Sequence, residues 1–515
     1  MINLRFYSSI KLKAGLMFLA GFLFVTSPVF GNNSSKYSFI LKVTDRPNDT
    51  AIIGYYSGPT QYVLDTVYTN KKGVIKYSTN EKLDGGLYLL AFIGDGYFEF
   101  VINPNESGFS IETKLEAPVE NMVVKNSYEN TVFNQFQKVR KKQGEELDPL
   151  YERLKDESLS KNEKQTLSKE IEAKIKEHMA EQVAYANNHK ATVTALLINL
   201  LRPINVPQEI ELTDLGNNAF LYTKIHFWDF VNFNDICLLR TPLYKTKVFR
   251  FLGPEFTPQH PDSISFWAAK LLDNIYENGD KKVFKTTLNW IGGKYENSKR
   301  MTDINVFTFL LDRYYLTNKV TWLNDDEKGQ LKLRYIRSIN NLVGKKAPNL
   351  VMLDTAKIPR ALHFEDSPFT LIYFYSTNCA HCKEMTPKIL AIYNEYKEKG
   401  FNVFGVCTDY EEVLDDNGNI SGFKVAPSWP KYIKENKLRW TNVSDPSNQT
   451  GFRDLYDVYN TPVIYLLDSN KNIIGRRIDD IVLRRFLLHE IDGFSHQEAQ
   501  QILLQKGYLK PEEKE

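Results

Sequence analysis

The tetrad Cys379-Ala380-His381-Cys382 lies between a continuous apolar run, Phe369 to Tyr375, and a stretch that places Ile389, Leu390 and Tyr393 on one helical face. The run reads as a buried strand and the segment from Cys379 to Tyr396 as a helix. Two cysteines three apart at a helix start bring their sulfurs into bonding range. The free N–H groups and positive end of that helix stabilise a thiolate on the first. Cys379 is therefore expected to be an attacking nucleophile and Cys382, one turn inside, a resolving thiol that releases the partner. Around this pair the β and α patterns alternate, from a Gly and Pro boundary at Gly344-Lys345-Lys346-Ala347-Pro348 onward. Phe401 to Val406 reads as a second strand. Val463 to Leu467 and Ile473 to Ile478 read as a closing hairpin about Asp468-Ser469-Asn470-Lys471, and Val482 to Leu488 as a final helix.

At 515 residues the chain is too long for this unit alone and should hold about three domains. From Tyr37 to about Lys114, short β-type runs alternate with turn residues: Tyr37 to Val43, Ala51 to Tyr56, Gln61 to Tyr68, Val74 to Tyr77 and Tyr88 to Phe92. Asn70-Lys71-Lys72-Gly73 reads as a hairpin connection, and the whole as a small antiparallel sandwich. Helical spacing then takes over, with Val132, Phe136 and Val139, and a ladder of Leu167, Ile171, Ile175 and Met179 among Lys and Glu. Two long helices are implied, broken near Pro149 and Ser158 to Ser160, as a packing or dimerisation arm. Further helical patterning runs from Thr192 through Tyr315. The expected organisation is multidomain: a β-sandwich over 32–125, an all-α region over 126–335, an α/β domain over 336–492, and a C-terminal helix and tail over 493–515.

The first residues carry Arg5, Lys11 and Lys13, an apolar run from Ala14 to Val25, then Ser27-Pro28-Val29-Phe30-Gly31. This reads as a secretory signal peptide, 1–31, cleaved after Gly31, with an uncleaved membrane anchor as the alternative. An oxidising destination permits disulfides, yet four cysteines over so long a chain form no stapling framework. Cys237 and Cys407 stand alone and read as buried free thiols. The net charge of +2 gives no field that would argue for a nucleic-acid partner.

The C-terminal domain resembles the TlpA/ResA branch of the thioredoxin superfamily. The resemblance rests on Ala347-Pro348, the strand end Phe374-Tyr375-Ser376, Cys379-Ala380-His381-Cys382-Lys383 with Pro387 five residues on, and Asn460-Thr461-Pro462-Val463. It implies a thioredoxin-like fold and a thiol-disulfide oxidoreductase that needs no metal or organic cofactor. It also implies a cis Thr461-Pro462 bond facing the dithiol and presenting backbone to a substrate chain. The stretches Gly85-Gly86-Leu87-Tyr88 and Leu238-Leu239-Arg240-Thr241-Pro242-Leu243 resemble the β-domain and helical region that precede such domains in exported proteins. Where the family has Trp before the first Cys, this chain has Asn378, and Met385 stands where an acidic residue is common. Tyr373 occupies the place of the buried Asp of cytosolic thioredoxins.

These features point to an exported, periplasmic enzyme that exchanges its dithiol with thiol- or disulfide-containing exported proteins; the resemblance implies a reductase, with duties such as cytochrome c maturation. A second redox partner, which could be membrane-bound, would reset it, and the helical arm could make a homodimer. His381 can place charge beside a Cys379 thiolate and lower its pKa, which would suit an oxidase or isomerase. Alternatively it is an exposed loop histidine without effect. A zinc site at Cys379, His381 and Cys382 would need a fourth ligand and less crowding. A thiol peroxidase is a further alternative, disfavoured because the Pro, Thr and Cys spacing that such enzymes use is missing around Cys379. The remaining alternative is a partner-binding scaffold with a secondary redox domain.

Overall fold

The structure is a computed structural model that describes residues 37–211 and 217–509; the expected signal segment lies outside them. Among the described residues no helix is long and apolar enough to cross a membrane.

The N-terminal region holds β1 (Tyr37–Val43), β2 (Thr50–Ser57), β3 (Thr60–Tyr68), β4 (Val74–Thr79), β5 (Gly86–Phe92), β6 (Gly96–Ile102), β7 (Phe109–Thr113) and β8 (Val123–Lys125). They form two four-stranded sheets, ordered β4-β1-β7-β8 and β3-β2-β5-β6. Alternating inward residues of both sheets, among them Phe39, Leu41, Ile53, Leu90, Phe100 and Ile111, share one core. Two expectations need correction. The pairing is not wholly antiparallel, because β7 runs parallel to β1 after the chain has crossed over from β6 in the other sheet. Nor does Asn70 to Gly73 close a hairpin. The turn forms, with Gly73 at φ +71, but its carbonyl accepts from Val43 N–H at 2.8 Å, so β4 is laid against β1 rather than β3.

The long helices α1 (Tyr128–Leu154) and α2 (Lys161–Asn188) follow as an antiparallel pair seamed by Leu147, Leu167 and Ile171. Pro149 does not break α1, which runs on through it to Leu154, and the chain turns only at Lys155 to Ser160. Ser160 and Glu163 then form a reciprocal cap on α2. The rest of the helical region comprises α3 (Val193–Leu201), α4 (Gln208–Glu211), α5 (Asn217–Ile225), α6 (Pro242–Phe251), α7 (Pro261–Asn278), α8 (Lys281–Glu296), α9 (Asp303–Leu310) and α10 (Asp325–Ile339). Tyr244, Ile264, Leu272, Leu288 and Val306 lie at its centre. The expected boundary at 335/336 falls inside α10, whose helix continues to Ile339. Beyond it, Asn341 donates to the Leu455 carbonyl and accepts from Arg476 Nε, at 2.8 and 2.9 Å, tying the helical region to the last domain.

The two stretches with Gly85-Gly86 and Leu238 to Leu243 meet. A side chain at Gly85 would collide with Cys237 Sγ, and one at Gly86, with φ +140, would collide with Arg240. Arg240 lies over the Tyr55 ring and pairs with Asp84 at 3.1 Å, which also takes Lys282 at 3.3 Å. The β and helical regions are thereby joined through backbone that only glycine leaves open.

The C-terminal domain contains β9 (Val351–Leu353), β10 (Pro359–Ala361), β11 (Phe369–Tyr375), α11 (Ala380–Tyr396), β12 (Phe401–Cys407), β13 (Tyr410–Leu414), β14 (Ile420–Val425), α12 (Ser428–Glu435), β15 (Thr441–Ser444), α13 (Phe452–Leu455), β16 (Val463–Leu467), β17 (Ile473–Arg476) and α14 (Asp480–Glu490). One sheet has the order β10-β9-β15-β12-β11-β16-β17, with β11 parallel to β12 and antiparallel to β16. A last helix, α15 (His496–Gln505), packs Ala499 and Leu503 on Leu488 of α14. The strands β13 and β14 form a separate hairpin.

Candidate active site

β11 is central in its sheet and buried from Thr370 onward, so the chain leaves it at a fixed point, Tyr375. Ser376 to Asn378 turn it into α11, whose N-cap is Cys379. The two cysteines of the tetrad are free thiols here, and they differ sharply in surroundings. Cys379 is half-buried, and its Sγ lies 3.3 Å from the Thr461 carbonyl oxygen, to which it donates. Cys382 is fully buried, with its Sγ facing Ser376 N–H at 3.5 Å. Thr461-Pro462 is cis, and the Cys379 contact shows that it faces the dithiol.

These surroundings push the two thiols in opposite directions. Burial raises Cys379, but the N–H of Cys382, the Thr461 hydroxyl, the Cys382 thiol and the N–H of His381 outweigh it and leave Cys379 below its ordinary value. At Cys382 burial wins, and the thiol is pushed up to about 11. The part that His381 takes in this is its backbone N–H at the helix start. Its side chain is exposed.

Under the pair lies a cluster of hydroxyls. The Tyr373 hydroxyl lies 2.9 Å from Thr386 Oγ1 and 3.3 Å from the Cys382 carbonyl, and Tyr432 donates to Thr386 at 2.8 Å. Tyr375 takes the Trp429 indole N–H at 2.9 Å and donates to Asn442. Burial raises Tyr373 and Tyr375 far above the usual phenol. Met385, at the commonly acidic position, packs on the same core.

Of the acids left unplaced by sequence, Asp409 reaches the site and Asp445 does not. Asp409 accepts from both N–H and hydroxyl of Thr377 at 2.6 Å, and Thr377 also meets the Ser428 hydroxyl at 2.8 Å. Asp445 instead holds its own turn through Gln449 and Thr450. Thr377, Thr386, Ser428 and Tyr432 carry no local sequence signal, since their partners lie between 13 and 51 residues away. Cys407 is buried one strand over and raised by burial and Asp409; Cys237, raised by burial, packs at the seam with the β region.

A family model described as AhpC/TSA matches residues 343–476. ResA, a thiol-disulfide oxidoreductase of Bacillus cereus, is 23% identical over 138 residues, 27% of this chain and 70% of its own. ResA of Oceanobacillus iheyensis is 26% identical over 131 residues, 25% of this chain and 57% of its own. Among solved structures, a domain of a possible thiol-disulfide isomerase from Cytophaga hutchinsonii is 33% identical, with 31% of this chain and 97% of that one covered and a TM-score of 0.25. A thioredoxin-like protein from Bacteroides caccae is 20% identical over 56% of this chain and 97% of its own, with a TM-score of 0.39. Residues 343–476 thus form a thioredoxin-like domain that matches the AhpC/TSA family model, with ResA-type thiol-disulfide oxidoreductases among its relatives.

Proposed function

We propose that the chain is an exported thiol-disulfide oxidoreductase that reduces disulfides in exported proteins through Cys379 and Cys382. The observation that carries this is the asymmetry of the pair: an accessible thiol held below its ordinary value, beside a buried one raised to about 11. The Cys379 thiolate attacks one sulfur of a substrate disulfide; that S–S bond breaks, a Cys379–substrate bond forms, and the other sulfur leaves and takes a proton. Cys382 then loses its proton and attacks the Cys379 sulfur, releasing the second substrate thiol. Two electrons pass to the substrate, and a separate dithiol partner must reduce the resulting Cys379–Cys382 disulfide, becoming oxidised in turn. The cis Thr461-Pro462 backbone, 3.3 Å from the attacking sulfur, offers a carbonyl edge for the substrate chain. Export rests on the pattern of residues 1–31.

The test is Cys382→Ser. Incubated with a disulfide-bonded protein, this variant should accumulate a mixed disulfide through Cys379 that is visible without reductant and absent in Cys379→Ser. If neither variant traps partner, exchange is not the function. Equilibration with glutathione buffers gives the direction: a potential near about −270 mV marks a reductant, and one near about −120 mV an oxidant or isomerase.

A further inference from the structure

The β13–β14 hairpin grows out of the dithiol end of the sheet, and both of its feet converge on one residue. On the entering side, Thr408 N–H and hydroxyl bond to the Tyr375 carbonyl at 2.8 and 3.2 Å, and Asp409 holds Thr377. On the returning side, Ser428 at the start of α12 meets the Thr377 hydroxyl. Thr377 stands two residues ahead of Cys379, so the root of the hairpin is built into the loop that presents the nucleophile.

Among the described residues the body of the hairpin pairs only with itself, leaving both outer edges open. A lone two-stranded ribbon is marginal in water, and an open strand edge is usually blunted. This one instead exposes Leu414 and Ile420, at 57% and 53%, with Val413, Tyr410 and Phe423 nearer the root. Apolar side chains held in water on an open-edged ribbon gain only when another chain covers them. The charge selects which chain. The hairpin carries Glu411, Glu412, Asp415 and Asp416 against one lysine, Lys424, which is already paired with Glu411 at 3.2 Å; Asp415 is engaged in its own turn, and Arg453, over the Tyr410 ring, is held at the root by the Thr408 carbonyl.

We propose that this hairpin is a docking arm for the substrate polypeptide. It adds an extended segment to an open edge, covers its apolar residues, and favours segments that carry Lys or Arg beside the cysteine to be exchanged. The inference rests on the exchange function proposed above and names the substrate feature that the same site reads.

Stopped-flow oxidation of the reduced full chain tests it, with three oxidants: hydroxyethyl disulfide, and two disulfide peptides of one apolar sequence flanked by Lys or by Glu. The Lys peptide should react about tenfold faster than the Glu peptide at low salt. Leu414→Ser/Ile420→Ser alters only exposed tip residues, and should cut the ratio of Lys-peptide to hydroxyethyl disulfide rates about tenfold while thermal unfolding stays in place. Glu412→Lys/Asp416→Lys should reverse the charge preference. Equal rates for the two peptides, or the same loss for all three oxidants, would overturn the docking role. So would a dimer in light scattering that the tip variant dissolves, since the arm would then pair copies. If wild-type chain is not oxidised even by hydroxyethyl disulfide, the exchange function itself fails, and the arm with it.

Discussion

Alkylation of the reduced chain at pH 7 separates the two thiols by an amount that follows from their surroundings. With Cys382 at about 11, about one molecule in ten thousand carries its thiolate at pH 7, against about 1% for a cysteine at 9.0. Cys379 lies below that value, so the gap in thiolate population is at least about 100-fold. The more basic thiolate is the better nucleophile, and a Brønsted slope of about 0.45 over about 2 pK units returns roughly an eightfold advantage to Cys382. The net expectation is that Cys379 reacts at least about tenfold faster, before the full burial of Cys382 is added. The assay is limited iodoacetamide treatment, timed quenching and peptide mass spectrometry of residues 376–388. The Cys379 rate should rise with pH and level off earlier than that of an ordinary cysteine, while Cys382 labelling should stay low until pH approaches about 11. Comparable rates at pH 7, or a Cys379 midpoint above that of ordinary cysteine, would refute the claim that the helix start and Thr461 outweigh burial.

Three further outcomes follow from residues outside the dithiol. Burial, with the Glu106 charge added, raises Glu129 to about 7 against the N–H of Val193, so stability present below about pH 4.3 should be lost as pH rises through about 7. Glu129→Gln should abolish that loss and gain up to about 3 kcal/mol at pH 8, read by urea unfolding; a variant that tracks wild type across the range would contradict it. Gly86→Ala would place Cβ 2.3 Å from Arg240 Cβ at φ +140, and should cost about 2–3 kcal/mol. A neutral effect in denaturant titration would show that the joint between β5 and Arg240 yields. Tyr373→Phe removes the hydroxyl bonded to Thr386 and to the Cys382 carbonyl, and should cost about 1 kcal/mol with an unchanged m value; a larger loss would mean that the ring repacks.

What could be read from the sequence was local. Cys379, Cys382, Thr461 and Pro462 each belong to a short motif, and the structure brings them within one contact network. The strand β6 escaped because its run Tyr97 to Ile102 is broken by Glu99, an acid that reads as outward. It is buried, and accepts the Tyr56 hydroxyl at 2.6 Å from β2 across the sheet. Such a partner, 43 residues away, leaves no trace in the pattern. The turn at Asn70 was legible as a turn, whereas its destination was set by Val43, a strand edge distant in sequence. Pro149 read as a breaker by propensity, and helix packing of Leu147 overrode it. The hairpin β13–β14 is acidic and carries Asp415 to Gly418, so by composition it reads as a loop; only its cross-strand register makes it an arm.

The hydroxyl cluster under Cys382 bears on how the proposed exchange must run. A buried carboxylate could accept the Cys382 proton, but Tyr373 stands in its place, and burial raises both it and Tyr432 above the ordinary phenol. Neither can act as a base near neutral pH. Tyr373 is moreover directed at the Cys382 carbonyl and Thr386, and thus braces the first turn of α11 without taking the proton. Once Cys379 is tied up in a mixed disulfide, its own charge no longer raises Cys382, yet burial, the largest cause, persists. The resolving thiolate is therefore scarce at neutral pH, which slows the step that depends on it. An arm that retains the substrate segment beside Cys379 for the life of the mixed disulfide complements such chemistry, because a long-lived intermediate needs a partner that does not drift from the cis Thr461-Pro462 edge before Cys382 can attack.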